Sequence, residues 1–189
     1  TVSFQKSGEP IFEIQQKVEP FHWLGEIQPY TEDLKERFSW TKPREEYLKE
    51  VPSAGKLYLV RALPVGKSKN PPRYLMREVE LAARTLKGGD VTLNHIPYSL
   101  KGANRILDSD YEDLTAEAIL YIEDEKVNKL YAEGKIHHAS IEGNYRYAVP
   151  EDGIVPHGVF LTGVSLLTDD IEPGMTGTSV QLFESVLDN

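Results

Sequence analysis

Apolar residues recur at every second position through most of residues 56–183, which is the pattern of β-strands. The segment 114–122 shows the pattern most clearly, because apolar residues occupy all of its even positions. β-branched and aromatic residues, which strands favour, are frequent in the same regions. The pattern predicts strands at residues 56–63, 91–95, 104–108, 114–122, 136–147, 159–167 and 179–183.

Two segments have apolar residues at the spacing of an amphipathic helix instead. The first covers residues 73–87, with prolines before it and Gly88 after it. The second covers residues 123–133 and ends at Gly134. Proline before a helix and glycine after it are common boundary signals. Shorter helical turns are predicted at residues 33–38 and 44–49.

Strand patterns outnumber helical patterns, so we predict an α+β fold. Its core is expected to be a mainly antiparallel, barrel-like sheet of six to eight strands, with two or three helices on the outside. Residues 55–189 are predicted to form this core as one domain. Residues 1–54 contain short apolar groups among many charges, and we expect an N-terminal arm or added sub-structure that packs on the core.

The composition excludes several classes of function. The net charge of −9 argues against a nucleic-acid-binding surface. No segment approaches the roughly 20 consecutive apolar residues that a membrane-spanning helix needs, so no membrane partner is predicted. The absence of cysteine excludes thiol catalysis, thiolate metal sites and disulfides.

Two short motifs carry the candidate chemistry. Residues 91–95 read Val-Thr-Leu-Asn-His, and residues 136–142 read Ile-His-His-Ala-Ser-Ile-Glu. The first motif ends in His95, and the second carries Ser140 in the middle of a predicted strand. A serine becomes a nucleophile only when a base lies within hydrogen-bonding distance. Two strands of one sheet could hold these two residues together.

Each of these residues is also compatible with a purely structural role. The period of a strand places His138, Ser140 and Glu142 on one polar face, which is typical of an antiparallel strand with one face in water. A histidine at a strand end, such as His95, is often a structural residue. The spacing of the two motifs therefore leaves catalysis and structure both open.

A metal site or cofactor is not indicated. The adjacent His137 and His138 point to opposite faces of a strand and could not chelate one ion together. The helical His-Glu-x-x-His spacing is missing. The acidic turn over residues 108–113 lacks the spacing of a calcium loop and is expected to be solvated.

The order of the motifs resembles that of the prohead proteases of tailed bacterial and archaeal viruses, which are related in fold to herpesvirus assemblin. The resemblance covers about residues 56 to 180. It consists of a helix ending at Gly88, the strand to His95, a helix ending at Gly134, the strand through Ser140 and an apolar strand over residues 160–167.

The resemblance implies that Ser140 is the nucleophile and His95 the general base of an acyl-transfer reaction. Members of the family usually have a third polar residue that orients the base, and the position that aligns with it here is Gly163. A glycine has no side chain for this role, so another residue would have to substitute. The candidates are His157, Asp169 and Glu142.

The resemblance further implies a serine endopeptidase of capsid maturation. Its expected substrates are the viral scaffold protein and the major capsid protein, its expected state is a homodimer, and its expected location is the procapsid interior in the host cytoplasm. The alternative is a catalytically inactive protease fold that serves as a scaffold or capsid-associated protein. A β-barrel binding module unrelated to proteases is a third hypothesis.

Overall fold

The computed structural model describes residues 19–22, 39–67, 72–150, 153–170 and 179–182 of the chain. The predicted turn at residues 33–38 lies outside these ranges. The described residues contain helices α1 (Arg44–Leu48), α2 (Met76–Ala83) and α3 (Glu125–Ala132), with a 3-10 turn (Arg84–Leu86) directly after α2. None of these helices is long and apolar enough to cross a membrane.

Strands make up most of the described structure, and several are longer or shorter than predicted. They are β1 (Glu19–His22), β2 (Lys56–Pro64), β3 (Gly66–Lys67), β4 (Arg73–Tyr74), β5 (Asp90–Leu93), β6 (Asn104–Glu112), β7 (Thr115–Ile122), β8 (Ile136–Asn144), β9 (Tyr147–Pro150), β10 (Ile154–His157), β11 (Phe160–Thr168) and β12 (Ser179–Leu182). The additional strands have only two to four residues each, which is too short to show a period.

The longer strands form two four-stranded sheets. One has the order β1-β8-β11-β5 and is antiparallel except where β5 runs parallel to β11. The other has the order β12-β2-β7-β6 and is antiparallel throughout. The predicted α+β class with mostly antiparallel strands is therefore confirmed. Among the described residues, however, no pairing joins the two sheets into a closed barrel, so the barrel-like form of the predicted core is not confirmed.

The main hydrophobic core lies on the apolar faces of both sheets. Fully buried aliphatic residues come from each sheet, including Val60 and Leu120 from one and Ile141 and Val164 from the other. The buried face of α2 completes this cluster. Burying one such side chain contributes about 1.5–3 kcal/mol, so this core is the largest source of stability.

The central strand β7 is buried on both faces. One face belongs to the main core, and the other carries Ile119 and Tyr121 in a second cluster. Trp40 and Tyr47, from the chain segment that precedes β2, cover this second cluster. Residues 39–51 thus contact the sheet, while the division of the chain at residue 54 remains a prediction.

Two polar contacts anchor this covering segment. Tyr47 donates a hydrogen bond of 2.7 Å to Asp108, and burial of the phenol raises the pKa of Tyr47. The Trp40 indole donates to the fully buried Glu117 at 3.2 Å. Glu117 is balanced by the Arg61 guanidinium, also at 3.2 Å. A buried carboxylate that is paired in this way is tolerated, but it becomes costly when a partner is lost.

Helix α3 fixes the start of β8. The Asp124 side chain caps the helix by accepting the Val127 amide at 2.9 Å. Its other oxygen accepts the amide of Lys101 at 2.7 Å, which ties in the loop before β6. Gly134 then takes a left-handed conformation, with φ of 71°, that reverses the chain into β8.

The Arg61–Glu117 pair yields a stability prediction. Replacing Glu117 by alanine should lower the free energy of unfolding by about 3 kcal/mol, because it leaves the Arg61 charge without its buried partner. Urea denaturation measures this loss. The matched control is Glu80→Ala on the exposed face of α2, which should change stability by less than about 0.5 kcal/mol. Equal effects of the two substitutions would contradict the role assigned to the pair.

Candidate active site

His95 lies in a tight turn directly after β5. The predicted strand to residue 95 ends at Leu93 instead, because Asn94 and His95 have positive φ values of 52° and 59°. Two successive side-chain-bearing residues in this region are unusual, and each costs of order 1 kcal/mol or more. Such strain persists only where the surrounding structure holds it in place.

Hydrogen bonds from β11 hold the turn in this conformation. The Asn94 amide donates to the Leu166 carbonyl at 2.9 Å, and the His95 amide donates to the Ser165 hydroxyl at 2.7 Å. The Asn94 side chain donates to the Thr168 hydroxyl at 3.0 Å and accepts the Thr168 amide at 3.0 Å. These contacts fix the position of the histidine relative to β11.

The His95 ring contacts a carboxylate from β8. Nδ1 of His95 lies 2.9 Å from Oε1 of Glu142, and each side chain is 20% exposed. An ionised carboxylate only accepts hydrogen bonds, so the proton of a neutral imidazole lies on Nδ1 in this pair. The lone pair is then on Nε2, which is the form that a general base requires.

Ser140 lies on the same strand face as Glu142, two residues before it. It pairs directly with Ser165 of β11, the residue whose hydroxyl holds the His95 amide. Residues paired across a sheet share a face. The register therefore brings Ser140, Glu142 and the His95 turn to one side of the sheet.

The polar face of β8 is covered rather than open at Ser140. Ser140 and Ser165 are both 0% exposed. The sequence indicated a polar row typically in contact with water, and this expectation is wrong at the serine. The physical reason is that the turn after β5 is held close to this face, while β1 pairs with the other edge of β8.

Of the three candidates for the third residue, Glu142 contacts His95. His157 instead stacks on a tyrosine of β9, with ring centroids 5.0 Å apart. Asp169 lies 2.9 Å from the ring of His137. Neither of these contacts involves His95.

Gly163 provides the space that Glu142 occupies. It pairs with Glu142 on one side and with Asp90 on the other. A Cβ atom at this position would lie 2.8 Å from the Asp90 carbonyl oxygen and 3.4 Å from Oε2 of Glu142. The glycine at the expected third position is thus next to a carboxylate from the neighbouring strand.

A cleft with a volume of about 310 Å³ opens beside the pair. His95 and Glu142 form part of its wall, and Tyr98, which is fully exposed, stands at the same opening. Its remaining wall includes Asp90, Thr92, Leu100 and Asn104. The cleft gives solvent and ligands access to the side of the site that contains the histidine.

Sequence reasoning missed Ser165. The only sequence signal was a single hydroxyl in an otherwise apolar run, Val164-Ser165-Leu166-Leu167. In the structure this hydroxyl-bearing side chain is fully buried.

The part of the chain that the structure describes contains no group of three His, Cys, Asp or Glu that could hold a metal ion.

Comparisons with known proteins give a structural likeness but no sequence match. No family model matches the sequence, and no curated protein matches it. One similar solved structure is the bacteriophage T4 capsid assembly protease gp21, with 18% sequence identity and a TM-score of 0.48. The alignment covers 82% of this chain and 98% of that one. These comparisons show no family for the chain.

The space at Gly163 generates a prediction. Gly163→Ala should lower the free energy of unfolding by about 1–3 kcal/mol, because the new methyl group overlaps a backbone oxygen of β5. Thermal unfolding measures this change. Thr162→Ala, on the partly exposed neighbouring residue, is the control and should stay within about 0.5 kcal/mol of the parent. If Gly163→Ala left the thermal stability unchanged, the site would have room for a methyl group, and the prediction would be wrong.

Proposed function

We propose that the chain is a serine endopeptidase in which Ser140 is the nucleophile, His95 the general base and Glu142 the residue that orients the base. The observation that carries the proposal is the 2.9 Å contact between His95 Nδ1 and Glu142, on the strand face that also holds Ser140. The strained turn at His95 adds to this, since such conformations are concentrated at functional sites.

The proposed mechanism is acyl transfer. Nε2 of His95 takes the hydroxyl proton of Ser140 as the serine oxygen attacks a peptide carbonyl. The imidazolium then gives this proton to the leaving amine, and an acyl-enzyme remains. Water, deprotonated by the same histidine, attacks the ester and releases the acid with regeneration of Ser140. Glu142 stabilises the imidazolium and keeps the ring oriented throughout.

The proposed substrates are viral scaffold protein and the major capsid protein or its scaffolding segment. This assignment rests on the order of motifs that resembles the prohead proteases. The same resemblance supports a location inside the procapsid, in the host cytoplasm, and a homodimeric state.

A second candidate function is favoured by one specific observation. Ser140 is 0% exposed, and a nucleophile must meet its substrate. A protease fold that serves only as a scaffold or capsid-associated protein would have a permanently buried serine at this position. The two functions differ in whether the hydroxyl of Ser140 reacts.

A fluorophosphonate probe tests the proposed nucleophile. Long incubation of the folded chain should label Ser140, because local opening exposes buried groups at intervals. Peptide mass mapping locates the label, and Ser140→Ala should abolish it. His95→Ala should slow labelling by about 10³-fold or more, since the serine loses its base. Labelling that is unaffected by the loss of His95 would contradict the proposal.

The role of Glu142 is tested by a pH profile of the labelling rate. The parent rate should fall on acidification, because an imidazolium cannot accept a proton. Glu142→Gln should reduce the maximal rate by about 10²-fold or more.

The control for this profile is Glu80→Gln, which makes the same change of charge on the exposed face of α2. Its rate and profile should match those of the parent. If Glu142→Gln kept the labelling rate of the parent, the role assigned to the carboxylate would be contradicted.

A further inference from the structure

Strand β1 lies alongside the strand that carries Ser140. It pairs antiparallel with β8, with Phe21 opposite Ile141 and His22 opposite Ser140. The other edge of β8 is paired with β11. A segment from the N-terminal part of the chain therefore occupies the outer edge of β8 at the level of the proposed nucleophile.

An extended peptide can reach β8 along only one of its two edges. The edge next to β11 is joined through a long antiparallel pairing that includes the core residues Val164 and Leu166. Displacing β11 would therefore break the core. In the part of the chain that the structure describes, the edge next to β1 is occupied by a strand of four residues. Extended peptides commonly bind proteins by adding a strand at such an edge.

The composition of β1 limits the number of hydrogen bonds that it can form with β8. Pro20 has no amide hydrogen, so it fits a position of an antiparallel pair that makes no ladder hydrogen bonds. Bonded and non-bonded pairs alternate along the ladder. The remaining ladder bonds of β1 then belong to Glu19 and Phe21, and few bonds have to break for the strand to leave.

We propose that the outer edge of β8 is the docking site for the substrate, and that β1 fills this site in a latent form of the chain. This inference rests on the proposed function. The substrate is an extended peptide segment that replaces β1, with its scissile bond near the position of His22, opposite Ser140. Displacement of β1 opens the face on which Ser140 is otherwise completely buried.

A pair of substitutions in the full chain tests the proposal. Phe21→Pro removes the amide that donates to β8, whereas Phe21→Val removes the same aromatic ring but keeps the amide. Fluorophosphonate labelling of Ser140 should be about fivefold faster or more in the proline variant, which is the factor expected for one lost ladder hydrogen bond. The valine variant should remain within about twofold of the parent.

A competing peptide gives the complementary result. A synthetic peptide with the sequence of residues 17–24 should slow the labelling of the proline variant towards the parent rate, because it replaces β1 in trans. A peptide of the same composition in scrambled order should leave the rate unchanged. Equal slowing by both peptides would contradict a strand-specific site.

Hydrogen exchange of the parent chain supplies a test that needs no variant. If β1 opens while β11 stays paired, the amides of Ile141 and Gly143, which face β1, should exchange faster than those of Ser140 and Glu142, which face β11. Equal protection of the two sets would overturn the inference.

The outcomes separate this inference from the proposed function. Labelling of Ser140 at one rate in the parent, proline and valine chains would overturn the role of β1 and leave the peptidase proposal standing. Equally faster labelling in the proline and valine variants would also overturn the role of β1, because the backbone amide of Phe21 would then have no effect on the rate. No labelling of Ser140 in any of these chains, when their melting curves show that they are folded, would remove the peptidase proposal and this inference with it.

Discussion

The register between β8 and β11 is the constraint on which the site depends. It sets Ser140 opposite Ser165 and Glu142 opposite Gly163. A shift of one residue would turn the two polar side chains of β8 into the core and bring Ile141 to the outside. The apolar residues on the other face of β8 therefore do more than stabilise the fold. They select the register that puts Ser140 and Glu142 on the sheet face next to the turn that carries His95.

Several polar groups in this structure are accommodated by a residue of another strand. The Ser165 hydroxyl accepts a hydrogen bond from the backbone amide of His95. Gly163 has no side chain and so leaves room for the Glu142 carboxylate, and Arg61 forms an ion pair with the buried Glu117. In each case the partner lies on another strand, far away in sequence. Pairing of the strands thus supplies partners for buried polar groups. Burying a polar group without a partner would lower the stability by more than one hydrogen bond raises it.

The sequence predicted the long elements because their periods are long enough to recognise. The strands through Leu120, Ser140 and Val164 and both longer helices were found in this way. It also found His95 and Ser140 as a candidate pair, through a resemblance of motif order. The two- to four-residue strands were missed because they are too short to show a period.

The choice among the third-residue candidates needed tertiary structure. Glu142 and His95 are 47 positions apart, and only the pairing of β8 with β11 shows that a glycine faces the carboxylate. The burial of Ser140 was also beyond the sequence, because a row of polar residues on a strand is ordinarily a sign of exposure. That row is bordered by the turn after β5 and by the four-residue strand β1, and neither segment is long enough to show a period.

The parallel pairing of β5 with β11 has a consequence for synthesis of the chain. The two strands are more than 60 residues apart, and β11 is the last long strand of the described chain. Contacts between such distant segments form late during folding. On the ribosome, the histidine turn has no partner for its strained backbone until residues 165–168 have left the exit tunnel. In the proposed enzyme, the turn that carries His95 can therefore be held in this conformation only after β11 has been synthesised and paired.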